Sequence, residues 1–156
     1  MIIDCFATDK FAIKELAERT GEEIVALSDL INDDKKEVFS ERPFVFAMDY
    51  AFSFDWTIVS RFLSMKFGGS KILYCVFIGN CPTEKGRDLS KKIAANKNFV
   101  LFGVDNIDHM KLSKEEYFAK IDMLGDSVRN CVPFESAYGA DFPYGAKKSV
   151  FLKSSE

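Results

Sequence analysis

This chain of 156 residues contains no apolar run approaching 18 residues, so nothing in it reads as a membrane-spanning helix. It has no excess of positive charge. The formal net charge is -3, which removes the electrostatic argument for nucleic acid or an anionic membrane surface as a partner. Its four cysteines, Cys5, Cys75, Cys81 and Cys131, form no C-x-x-C spacing, so zinc, redox-motif and Fe–S readings are weak. Histidine occurs once, as His109. No serine or cysteine nucleophile motif accompanies it, and a surface or packing role is the expectation. The opening stretch "MIIDCFATDK" has an acid at position 4 and no basic n-region, so no secretory leader is expected. Thiols inside apolar segments, as at Cys5 and Cys75, fit a reducing cytoplasm. No internal repeat or long linker appears, and the length suits one domain over 1–156, with a core over about 1–128 and an irregular tail over 129–156.

What is present is a rhythm of apolar runs. The composition is 47% hydrophobic and 29% charged, enough for a core and a soluble surface. Sixteen phenylalanines are expected to fill much of that core. Strands are predicted at 1–8, 22–30, 43–50, 71–80 and 99–104, the last two being "KILYCVFIGN" and "FVLFGV". Between them lie helical patterns. The first, "FAIKELAERTG", places Ile13, Leu16 and Ala17 on one face and stops at Gly21. Further helices are predicted at 55–69, 86–98 and 113–125, with Asp55 or Ser53 capping the first of these and Ser113 with Glu116 forming a capping box on the last. The polar stretch 31–42 reads as a surface connection with room for a short helix. The tail from Asn130 is rich in Gly, Pro and aromatics, with room for a short strand at 148–152.

Strands apolar on both faces and alternating with helices argue for a parallel sheet covered on both sides. The expected fold is three-layer α/β/α, with a five-stranded parallel sheet of order 2-1-3-4-5. In that order the ligand crevice lies outside the carboxyl ends of the strands, at the strand 1/strand 3 switch point.

The stretches "GEEIVALSDLINDDKKEVFSERPFVFAMDYAFSFDWTIVSRFL", "GSKILYCVFIGN" and "SKKIAANKNFVLFGVDNI" resemble the flavodoxin family, most of all the flavodoxin domains that anaerobes fuse to ferredoxin modules. The similarity covers about residues 2 to 125 as many weak matches. The resemblance implies a flavodoxin-like fold, FMN as cofactor and electron transfer as activity; with no Fe–S cysteine pattern in the chain, a redox partner such as a ferredoxin or reductase is expected to be a separate chain. By position, the family's FMN loops fall at 7–12, 49–57 and 79–86. The first lacks the family's Thr-Gly-x-Thr/Ser hydroxyls, the second reads "DYAFSFDW", and the third, "GNCPTEKG", has less glycine than usual.

The residues in these loops carry two readings each. Thr8, Asp9, Lys10 and Phe11 stand at a helix N-terminus, which attracts phosphate through its free N–H groups. Thr8 offers a hydroxyl and Lys10 a positive charge, while Asp9 opposes an anion. The alternative is that Thr8 or Asp9 is simply the N-cap of the helix. In the second loop, Asp49, Tyr50, Ala51, Phe52, Phe54 and Trp56 include flat rings for an isoalloxazine, Tyr50 and Trp56 being best placed. Alternatively these rings fill the crevice themselves or pack under the tail. In the third loop, Gly79, Asn80, Cys81 and Thr83 offer backbone donors to a flavin edge, against a plain strand-to-helix connection with Pro82 in the first helical turn. Asp49, Asp55 and Asp105 near the strand ends are expected to lower a flavin potential.

Two rivals remain. Receiver domains of response regulators share the strand order, and Asp49 stands where their phosphoacceptor sits. The acid pair, Ser/Thr and Lys that they need are missing: Asp9 stands alone, and strands 4 and 5 run into Gly79-Asn80 and Gly-Val-Asp. The stronger rival is a flavodoxin-fold protein that has lost FMN and acts as a binding or interaction module. Its tail aromatics Phe134, Tyr138, Phe142 and Tyr144 are then available to fold over the switch-point edge or to form a homodimer contact.

Overall fold

The stretch Phe44–Asp49 shows why the sheet lies where it does. All six of its side chains are buried, because both faces of this strand are covered. The computed structural model describes residues 1–7, 9–32, 42–49, 56–65 and 71–134. In chain order the elements are β1 (Ile2–Cys5), α1 (Lys10–Thr20), β2 (Ile24–Ala26), α2 (Leu27–Asn32), β3 (Phe44–Asp49), α3 (Trp56–Leu63), β4 (Lys71–Ile78), α4 (Thr83–Ala94), β5 (Phe99–Ile107) and α5 (Lys114–Asn130). The sheet order is β2-β1-β3-β4-β5, with every pair parallel. This is the flavodoxin-like three-layer arrangement expected from the sequence.

Alternation along each strand divides the core in two. Ile3, Cys5, Phe44, Phe46, Met48, Cys75 and Phe77 point to one face. There they meet Leu27 and Leu30 of α2, Val59 and Phe62 of α3, and Leu89 and Ile93 of α4. Ile2, Val45, Ala47, Tyr74, Val76 and Ile78 point to the other face. They meet Ile13 and Leu16 of α1 and Tyr117, Ile121, Leu124 and Val128 of α5. Cys5 and Cys75 are buried free thiols, as the apolar runs implied. Burial, with a contribution from Asp4, pushes the Cys5 thiol up to about 12.

Several boundaries differ from expectation, each for a local reason. The second strand is only Ile24–Ala26, at the sheet edge, with Ile24 44% exposed. Leu27 and Leu30, read as strand residues, stand at helical spacing and bury one face of α2 instead. β5 runs to Ile107, past the predicted end at 104. Asn106 Nδ2 ties it to β4 by donating to Phe77 O at 3.0 Å and Gly79 O at 2.8 Å. α4 starts at Thr83, immediately after Pro82, and Gly86 lies inside it. α5 continues through Gly125 to Asn130. Gly125 is not a stop. It lets α5 lie against α1, since a Cβ there would sit 2.9 Å from Arg19 Cβ. The stop is Cys131, left-handed at φ 54°.

Other signals hold as read. Gly21, at φ 69°, ends α1 and donates its N–H to Ala17 O. Ser113 and Glu116 make both bonds of the capping box. Of the tail aromatics only Phe134 is described, and it does not lie over the switch-point edge. Its ring stacks on Tyr74 with centroids 5.7 Å apart, over Gly103 in the middle of β5. Tyr138, Phe142, Tyr144 and the strand suggested at 148–152 lie outside the described residues, as do Ser53, Phe54 and Asp55.

Candidate functional site

Parallel strands deliver the chain's polar connections to one edge of the sheet, so the β1–α1, β4–α4 and β5–α5 turns meet there. The β1–α1 turn is short and governed by two carboxylates. Asp4, the penultimate residue of the β1 ladder, accepts the Ala7 N–H through Oδ1 at 3.0 Å. Its Oδ2 holds Lys10 Nζ at 2.5 Å. Asp9 is the N-cap of α1, its Oδ1 accepting the Ala12 N–H at 3.2 Å. The capping alternative for this turn therefore holds, at Asp9. Lys10 is drawn to Asp4, and Phe6 before the turn takes a left-handed φ of 56° with its ring exposed.

The other oxygen of Asp9 reaches across the molecule to His109 Nδ1 at 3.3 Å. The His109 ring lies flat on Tyr117, with centroids 4.3 Å apart and 10° between planes. Phe11, 47% exposed, lies nearly parallel to both. His109 is thus a packed, half-exposed histidine, in line with its expected role. The Tyr117 hydroxyl is buried and has no hydrogen-bond partner among the described residues. Burial, reinforced by the negative charges of Asp9 and Glu15, pushes it up to about 12.

In the third loop, Gly79 sits at φ 92°, 3.6 Å from Asp49 Oδ1 measured from an added Cβ. A side chain at that φ is strained, so the turn needs glycine. Its N–H donates to Ile107 O at 2.7 Å and its carbonyl accepts from Asn106. The Gly79 donor is therefore committed to β5. The Asn80 side-chain oxygen accepts from Lys111 Nζ at 3.0 Å, and the partly buried Cys81 thiol lies 3.7 Å from Pro82 O. Asp49 is buried at the end of β3. Asp105 is also buried and pairs with Lys120 of α5 at 3.1 Å; burial raises its pKa, against the lowering effect of Lys120.

Between these turns lies a cavity of about 420 Å³, lined by Asp9, Gly79, Asp108, His109 and Met110. Asp108 orders its far wall by accepting the Met110 N–H at 3.0 Å, which leaves Met110 93% exposed. The structure thus brings Asp9 and Gly79 to one cavity, while Phe11 stacks on His109, Asn80 meets Lys111 and Lys10 is held on Asp4. Thr8, Tyr50, Ala51 and Phe52, and the side chains of Trp56 and Thr83, lie outside the described residues. Sequence reading missed Asp4, Asp108 and Met110. The Asp4-to-Ala7 spacing is a local turn signal, but the cavity wall at 108–110 depends on where β5 ends. Among the described residues no group of three or more His, Cys, Asp or Glu is placed to hold a metal ion, and no helix is long and apolar enough to cross a membrane.

Comparison with protein-family models, with curated proteins and with solved structures gives no match.

Proposed function

We propose that this chain is a flavin-binding protein of the electron-carrier class, with its ring site in the crevice outside the carboxyl ends of the strands. The observation that carries this reading is the 420 Å³ cavity at that edge. Its volume lies in the roughly 300–1,000 Å³ range of small-molecule sites, and its place is where doubly wound sheets take ligands. The flat, partly exposed rings of Phe11 and His109 stand beside it. A bound flavin supplies the redox chemistry, and the protein supplies binding and electrostatics. Asp9, Asp49 and Asp108 would surround the ring with negative charge and oppose its anionic reduced form. Asp105, paired with Lys120, contributes less. The electron partner is a separate ferredoxin or reductase chain.

Among the described residues of the β1–α1 turn, the Ala7 and Ala12 donors already end on carboxylates, which opposes the phosphate of FMN there. That observation favours a second reading, an interaction module without flavin. The absorbance spectrum of the purified protein, followed by titration of the apo form with FMN and with riboflavin under flavin fluorescence, separates the two. Flavin bands, or quenching at micromolar concentrations of either flavin, are the expected result. A colourless protein indifferent to both leaves the interaction module.

A further inference from the structure

We infer that the crevice selects against a ligand phosphate and takes an uncharged ring compound, a flavin without its 5′-phosphate, with Asp4 and Asp9 as the specificity-determining residues. This rests on the reading of the crevice as a flavin site.

A helix N-terminus holds an anion because its first N–H groups lack partners and its dipole end is positive. Here a carboxylate already takes one of those N–H groups, and a second takes a donor just before the helix. Asp4 Oδ1 takes the Ala7 N–H and Asp9 Oδ1 takes the Ala12 N–H. The adjacent cation is engaged as well, since Lys10 Nζ lies 2.5 Å from Asp4 Oδ2. On the other side of the cavity, Lys111 is held by Asn80 and by Asp108, at 3.0 and 3.9 Å. A phosphate entering this turn brings about 1.5 to 2 negative charges. It would have to displace a carboxylate from its backbone donor or sit beside it.

Among the described residues, nothing comparable opposes a neutral ring. The cavity is lined by Met110, whose side chain is soft and polarizable, together with Gly79 and His109. Stacking on Tyr117 at 4.3 Å and the contact with Asp9 fix the plane of His109. Two backbone donors of this turn are thus taken by carboxylates, while the space next to it has been kept.

The test uses the full chain, titrated with riboflavin and with FMN. It is repeated on the double variant Asp4→Asn/Asp9→Asn, which removes both charges yet keeps an acceptor oxygen for each backbone N–H. Riboflavin is expected to bind tighter than FMN by about tenfold or more. Partial neutralisation of Asp4 by Lys10 argues against a far larger gap. In the double variant the gap between the two flavins narrows, and raising the salt concentration narrows the wild-type gap in the same way. FMN binding as tightly as riboflavin to the wild type overturns the selectivity and leaves the flavin reading standing. A gap that survives both the substitutions and salt overturns the roles of Asp4 and Asp9. Binding of neither flavin overturns the flavin reading and this inference with it. Circular dichroism checks that the variant folds, and the salt titration on the wild type decides the matter if it does not.

Discussion

At the scale of single residues, Asp9 ties the start of α1 to the far side of the sheet edge. One oxygen caps the helix and the other meets His109. Asp9→Ala removes the cap and should cost about 1 kcal/mol of stability, whereas Asp9→Asn keeps an acceptor and should cost only a few tenths. Urea denaturation of the two variants checks the difference, and equal losses would mean that charge dominates over the cap. The exposed Lys10–Asp4 pair contributes little to folding, so its interest lies in the charge it consumes.

Tyr117 is a residue-scale case with a pH signature. Its hydroxyl is buried without a partner among the described residues, so Tyr117→Phe should be neutral or slightly stabilising at pH 7. Burial first, then the charges of Asp9 and Glu15, raise its folded-state pKa from 10.0 to about 12. Between those values the unfolded chain loses the proton and the folded chain keeps it, so stability falls as pH rises from about 10 through 12. Below about 10 the group contributes no slope. Denaturation midpoints measured at alkaline pH should fall less steeply in Tyr117→Phe than in the wild type. Parallel curves would show that the hydroxyl reaches solvent.

At the scale of elements, the end of α5 is locked to the sheet. The single Tyr74 O–H is shared between Val132 O at 2.6 Å and Ser127 O at 3.0 Å. The Phe134 N–H donates to Phe102 O at 3.1 Å. The Phe134 ring then covers Gly103 so closely that a Cβ there would lie 2.5 Å from it. Gly103→Ala must push this ring away and should cost about 1–3 kcal/mol. In the Phe134→Ala background the same substitution should cost much less, because the clash is gone. A double-mutant cycle by thermal denaturation measures the coupling, and strict additivity would show that Gly103 is required for its backbone alone.

At the scale of the whole molecule, β3 and β4 lie at the centre, each paired on both sides and covered on both faces. β2 is a three-residue edge strand. Amide hydrogen exchange should be slowest at Phe46, Ala47, Cys75 and Val76, and fastest among the strands in β2. Uniform protection across all five strands would indicate that the sheet opens only by global unfolding.

Much of this was legible in the chain itself. Strands buried on both faces are apolar at nearly every position, so β3 and β4 stand out without any partner being known. Gly21 and the Ser113–Glu116 pair mark helix ends through bonds made within a few residues, and such bonds are written locally. Gly125 misled because its purpose lies in Arg19 of another helix, not in its own turn. Leu27 and Leu30 fit a strand or a helix equally until the length of β2 is known.

Apolar periodicity follows directly from burial, so the layer order and the parallel sheet could be read along the chain. What the carboxyl edge of that sheet contains could not. Asp4, Asp9 and His109 come together through a turn, a helix cap and a contact between residues 100 positions apart. Whether a carboxylate opposes an anion or replaces it depends on which N–H it faces, and that is set by the fold as a whole.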